Sequence, residues 1–357
     1  MIGGKGSPNQ IAGDHGRKKR SNNSQGFDPF GVDLPYDTRS TATATSERSM
    51  QKPFRSSAMQ SCTHVVGALT ASLLLTLAGT SWSQSASSTT YQVQPVAGEF
   101  AFPWCVAWLP GGDMLVTERG GALYRVSSSG EARTAISGVP PAYVRSQGGL
   151  FDVVIDRDFA NNQRLFLTLA GGEPKANATE IYTAVLQGDS LTNVTLIHRL
   201  TPEKDTPVHY GGRLVQLVDG DLLLTTGDGF DYREQAQSLT NQLGKTLRLT
   251  AAGKPSSSNP TFNNADADAF VFTYGHRNPQ GLAVDPVNGD IWLTEHGPRG
   301  GDELNRLTPG ENYGWPAITY GLDYSGAYVS PLTEFPGMAQ PVVYWTPSIG
   351  ASGLAVY

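Results

Sequence analysis

One phrase recurs along this chain and limits what it can become. "GGDMLVTERGG" (Gly111 to Gly121), "DGDLLLTTGDG" (Asp219 to Gly229) and "NGDIWLTEHGP" (Asn288 to Pro298) share one plan: a turn, Gly-Asp, an apolar run, Thr, then a polar end containing glycine. Each follows another apolar run, "CVAWLP", "GRLVQLV" or "GLAVDP", and "QGGLFDVVIDRDFANNQRLFLTLAGG" is a looser fourth copy. Short runs rich in Val, Leu, Ile, Thr and aromatics, broken by Gly, Asp and Asn and never holding a helical period, predict strands. A hairpin whose second strand ends at a polar loop, used repeatedly without intervening helices, predicts an all-β fold, a β-propeller of five to six four-stranded blades. The alternative is a β-sandwich, which has no need to repeat one turn phrase. The final "SIGASGLAVY" reads as a strand just starting. A propeller must close to remove its sheet edges, so the chain is expected to be C-terminally incomplete, ending before its last blade.

Upstream of Tyr91 the texture differs. Residues 1–49 are expected to be a disordered or upstream extension. Within residues 50–86, Lys52 and Arg55 precede the apolar "THVVGALTASLLLTLAG", and the small residues of "TSWSQSASS" follow it. That order of charge, apolar run and small residues predicts a signal peptide beginning at Met50 and an exported body over residues 91–357. The alternative is a membrane anchor, for which the run falls short of the ~20 residues a spanning helix needs. Of the two cysteines, Cys62 would leave with the signal, so Cys105 could form no internal disulfide. Residues 1–88 carry 9 Lys+Arg and 5 Asp+Glu; without them the totals of 26 and 32 become 17 and 27, a formal charge of −10. An acidic body repels phosphate backbones and argues against nucleic acid as a partner.

Loops at one end of a propeller converge on its channel, so the polar ends of the repeats are expected to meet. They offer Gln147 in "SQGGL", His209 and Arg213 in "VHYGGR", Asp228 in "TTGDG", and the cluster "GHRNPQG". "EHGPRGGDE" adds Glu295, His296, Arg299, Asp302 and Glu303. Singly each has a plain reading: His209 a capping residue, Asp228 and "NPQG" turn formers, "GGDE" solvated surface, Trp315 in "NYGWP" packing. A turn does not require His276, Arg277, Asn278 and Gln280 side by side, however, and four long polar side chains suggest that something polar is held.

With these residues in this order, the body resembles the soluble aldose sugar dehydrogenases of the glucose/sorbosone dehydrogenase family, six-bladed propellers that use pyrroloquinoline quinone (PQQ) and calcium. The likeness spans Phe102 to Tyr344, and "GHRNPQGLAVDP" and "EHGPRGGDELNRLTPGENYGWPAITYG" are its most specific phrases. The resemblance implies that His209 is the general base for a sugar's C1 hydroxyl, that Asp228 orients it, and that Arg277 polarises the accepting carbonyl. It places Gln147, His209, Arg277, Asn278 and Gln280 around the quinone, and the carbonyls of Gly297 and Pro298 on a clamping calcium. A second calcium would take Glu303, the Tyr313 carbonyl and Asp323. "EHGPRGGDE" is closer to the broad-specificity aldose branch than to the glucose-specific dimeric one. Relatives grip the quinone carboxylates with Lys and Arg of a final blade that this chain does not reach. The expected partners are an aldose and an electron acceptor, in the periplasm or outside the cell. Two other readings stay open at this point: a calcium-dependent propeller lactonase or other hydrolase, and an inactive propeller that binds glycans or a protein.

Overall fold

The computed structural model describes residues 93–357; the extension and signal peptide expected over residues 1–86 lie outside them. Sixteen strands make four antiparallel meanders of four. The first holds β1 (Pro103–Trp108), β2 (Met114–Glu118), β3 (Leu123–Val126) and β4 (Arg133–Ala135), and the second holds β5 (Leu150–Ile155), β6 (Arg164–Glu173), β7 (Ala176–Gln187) and β8 (Ser190–Arg199). The third holds β9 (Gly211–Gln216), β10 (Leu222–Thr226), β11 (Lys245–Leu249) and β12 (Val271–Tyr274), and the fourth β13 (Pro279–Val284), β14 (Ile291–Glu295), β15 (Asp302–Leu307) and β16 (Val343–Trp345). First strands meet in succession, β1 with β5, β5 with β9 and β9 with β13. They line one axis, and each sheet is a blade.

Burial explains why the second strands read as apolar runs and not as alternating ones. β2 and β10 are buried at every position, as strands covered on both faces must be. The period of two then sorts side chains between neighbours. Leu165 and Leu167 pack toward the first blade with Leu115 and Leu123, whereas Phe166 between them packs with Leu214, Leu222 and Leu224 of the third. Leu223 in turn faces the fourth blade, against Phe272, Leu282 and Leu293. Each such leucine, fully buried, stabilises the fold by roughly 1.5–3 kcal/mol.

The shared turn and the shared threonine have separate causes. Gly112, Gly220 and Gly289 sit at φ 89°, 92° and 79°, a left-handed conformation that favours glycine. The threonine joins one blade to the next. Thr117 donates its hydroxyl to the Phe151 carbonyl at 2.6 Å, Thr168 to Gly212 at 2.6 Å and Thr225 to Pro279 at 2.9 Å. The same oxygens accept the backbone N–H of Cys105, Asp152 and Arg213 in their own blades, each at 3.0 Å. These first strands shift register against their partners beside those residues, which leaves N–H groups for a side chain to satisfy. Thr294 repeats the link by donating to the Ser352 carbonyl at 3.3 Å. Ser352 thus occupies the place of a next first strand, although no strand is assigned over residues 346–357. Among the described residues no helix is long and apolar enough to cross a membrane.

Candidate active site

At the mouth of the axis lies a cavity of about 270 Å³, lined among others by His209, Asp228, Phe230, Arg277, Trp315 and Tyr324. His209 precedes β9 at φ 51°, an uncommon conformation for a residue with a side chain. Its backbone N–H donates to Gln147 Oε1 at 2.8 Å. Asp228 follows β10, fixed by its own N–H donating to the Arg277 carbonyl at 2.8 Å. Gly227 allows the approach, since a Cβ there would lie 2.2 Å from the His209 carbonyl oxygen. "TTGDG" is therefore more than a turn: its first glycine admits the His209 backbone and its aspartate faces the ring.

The Asp228 carboxylate is buried and fully engaged. His209 Nδ1 lies 2.6 Å from Oδ1, which also accepts the Phe230 N–H at 2.8 Å, and Oδ2 accepts the indole N–H of Trp315 at 2.7 Å. Burial pushes this carboxyl up, but His209, Arg277 and the Phe230 N–H outweigh it and hold it below the usual range. Burial lowers the His209 pKa, with Arg277 and Lys204 acting the same way against the pull of Asp228. The pair is thus a neutral imidazole donating Nδ1–H to an ionised carboxylate, with Nε2 left as a proton acceptor. Behind it Lys204 is lowered to about 7, chiefly by burial; its ammonium donates to Asn177 Oδ1 at 3.2 Å and lies over the Tyr210 ring.

Arg277 stands opposite. Its backbone N–H donates to Glu295 Oε2 at 2.7 Å, and its Nη1 donates to the carbonyls of His296 at 3.1 Å and Gly297 at 2.8 Å. The guanidinium carbon lies 5.3 Å from the Trp315 ring centre and 5.8 Å from that of Tyr324. His276, the first polar residue of that turn, is wholly buried between Thr273 and Glu295 and stacks on Tyr313. It belongs to the scaffold.

The amides expected around a quinone are also engaged with protein partners. Gln147 holds the His209 backbone, Asn278 Oδ1 accepts the Gly211 N–H at 3.1 Å, and Gln280 Oε1 lies 3.0 Å from His296 Nε2. Arg213 turns into the axis, over the Trp104 ring, 3.4 Å from Asp152. Trp315, read from sequence as packing, is a member of the site. No local spacing announces it, because its partner Asp228 is 87 residues away. Phe230, Arg233 and Tyr324 were likewise not singled out, although all three line the cavity.

The expected calcium ligands fall into two groups. Pro298 lines the large cavity, and Gly297 borders a smaller one with Glu295, Glu303, Tyr313 and Thr319. There the Glu303 carboxyl is raised to about 8 by burial and by Glu295. Asn305 donates Nδ2–H to Glu295 at 3.2 Å and to Glu303 at 3.1 Å, while its buried Oδ1 has no partner. Crowded carboxylates beside an orphaned amide oxygen suit a hard cation, which takes oxygen ligands. Among the described residues no cluster of three or more His, Cys, Asp or Glu side chains could hold a metal, so carbonyl oxygens would have to complete such a site. Asp323, expected beside Glu303, instead lines the large cavity, 3.7 Å from Arg233. The quinone fits in part: Trp315 offers a flat face and Arg277 a fixed cation on the wall of the large cavity.

A family profile described as Glucose / Sorbosone dehydrogenase matches residues 100–357. The aldose sugar dehydrogenase YliI of Escherichia coli is 38% identical over 292 residues, covering 80% of this chain and 77% of that protein. The apo crystal structure of the soluble aldose sugar dehydrogenase from Escherichia coli aligns with a TM-score of 0.70 at 37% identity, over 73% of this chain and 76% of that one. The PQQ-bound aldose sugar dehydrogenase of Streptomyces coelicolor aligns with a TM-score of 0.62 at 29% identity, over 73% of each chain.

Proposed function

The chain belongs to the glucose/sorbosone dehydrogenase family, and from that premise we propose that it removes the C1 hydroxyl proton of an aldose at His209 while the C1 hydride leaves, giving the lactone. The observation that carries this reading is the clamped Asp228. With three donors on one buried carboxylate, the His209 ring is held through Nδ1 on the wall of the cavity, and Nε2 is the nitrogen left to accept a proton. Asp228 also stabilises the imidazolium that forms when the proton arrives. Arg277, buried and anchored through two carbonyls, supplies fixed positive charge where negative charge develops. When bound, PQQ supplies the two-electron acceptor for the hydride. Arg277 and the face of Trp315 would hold it, with Gln147 and Asn278 keeping the surrounding backbone in place and Gln280 the His296 ring. Calcium would lie at the Gly297 and Pro298 carbonyls, and a second ion at Glu303, the Tyr313 carbonyl and Asn305 Oδ1.

The finer readings of the sequence belong to the same proposal. The four blades are part of a six-bladed ring, Ser352 opens the next blade, and residues 50–86 direct export to the periplasm. The deciding experiment loads the chain with PQQ and calcium and offers glucose with an artificial dye as acceptor. Dye bleaching in the parent, lost in His209→Gln with PQQ uptake retained, is the expected result. No bleaching with any aldose sinks the proposal.

A further inference from the structure

Phe230 follows Gly229, and the two sit at φ 70° and 74°. Such a pair suits Gly-Gly, and a phenylalanine held there costs roughly 1–2 kcal/mol of backbone strain. The ring has identifiable neighbours. It stands edge-on to the His209 imidazole, 5.2 Å between centres, and stacks on Tyr324 at 6.3 Å with 23° between planes. Tyr324, 47% exposed, presents its ring at the mouth of the cavity, and its hydroxyl accepts from Arg277 Nη2 at 3.3 Å. Beside the two rings, Asp323 and Arg233 line the same mouth, their charged atoms 3.7 Å apart and both partly exposed. The carboxylate is aimed by its own turn: Asp323 Oδ1 accepts the N–H of Ser325 at 2.9 Å and its hydroxyl at 2.8 Å. A loose, half-exposed ion pair adds little to stability, so its oxygens and N–H groups can turn to a ligand at small cost.

We propose that Phe230, Tyr324, Arg233 and Asp323 form the subsite that holds the aldose over His209. A pyranose has apolar C–H faces and a rim of hydroxyls. Aromatic rings suit the faces, and a guanidinium beside a carboxylate gives the rim donors and acceptors together. Asp323 is on this view a sugar contact and not a calcium ligand. The inference rests on the sugar-oxidising reading above, and the test separates the two.

Saturation-transfer NMR with glucose on the full chain reads binding without turnover. Transfer to the sugar C–H protons is expected in the parent and in Tyr324→Phe, and a loss of most of it in Tyr324→Ala. With the loaded enzyme, Asp323→Asn and Tyr324→Ala should each raise KM for glucose about tenfold, with kcat changed less than about threefold and PQQ absorbance unaltered. Asp323→Asn should keep any calcium-dependent rise in melting temperature. Absent transfer in the parent, undiminished transfer in Tyr324→Ala, or loss of the calcium response in Asp323→Asn each overturns the subsite. Transfer that obeys these expectations without dye reduction leaves the subsite standing and removes the dehydrogenase reading.

Discussion

Trp315 donates its indole N–H to Asp228 Oδ2 at 2.7 Å, although one residue follows β10 and the other lies beyond β15. The bond crosses from the fourth blade to the third and fixes the carboxylate that orients His209. Trp315→Phe keeps the ring and deletes the donor. A hydrogen bond to a charged group contributes roughly 1.5–3 kcal/mol, so we expect a fall of that order in unfolding free energy by denaturant titration, and a drop in kcat of about tenfold with KM little changed.

Asp228→Asn removes the acceptor that selects the Nδ1–H form of His209. An amide can offer its NH2 to Nδ1 and reverse the ring's protonation, leaving Nε2 without its lone pair. The expected loss in kcat is about 10²–10⁴-fold, the range typical of general-base catalysis. Stopped-flow reduction of bound PQQ by glucose checks this, because it isolates the chemical step from reoxidation.

The His209 pair predicts an acid limb in both rate and stability. Burial holds the folded His209 pKa below its ordinary 6.5, so at pH 7 the ring is neutral and competent. As pH falls below 6.5 the unfolded chain binds a proton that the folded chain refuses, and stability drops. Asp228, whose folded pKa is also lowered, acts in the same direction at lower pH: its contribution is present above the ordinary 3.8 and is lost as pH falls through the folded value. Melting temperature should therefore decline from pH 7 to pH 5, less steeply in His209→Gln. An equal or steeper decline in that variant counts against the assignment.

The threonine links predict a shared mechanical role. Thr225→Val keeps the shape but leaves the Arg213 N–H and the Pro279 carbonyl without their bridge. A cost of about 1–3 kcal/mol is expected, with faster amide hydrogen exchange in β9 and β13 and no change in β1. Uniform exchange across all blades would argue that the hydroxyl does not couple neighbours.

Calcium should raise the melting temperature if Glu303 and Asn305 hold it, since binding only to the folded state contributes about 2.7 kcal/mol at a hundredfold excess over Kd. Glu303→Gln should abolish that rise and EDTA should reverse it in the parent. An unaltered calcium response in Glu303→Gln would remove the smaller cavity as the metal site.

The amino-acid sequence on its own determined the strands, the turns and the order of the repeats. Those properties depend on neighbours a few residues apart: apolar runs covered on both faces, a left-handed glycine after the first strand of three blades, and a threonine in each second strand. The order of "HYGGR", "TTGDG", "GHRNPQG" and "EHGPRGGDE" also brought His209, Asp228 and Arg277 into view. What only the tertiary structure decided was which side chain answers which. Trp315 looked like packing, Asp323 looked like a partner of Glu303, and Phe230 drew no notice, because their contacts are made across blades or across loops. The physical reason is that strand formation follows from local backbone and burial patterns, whereas a site's chemistry depends on distances between atoms far apart in the chain, which are set only when the blades pack around one axis.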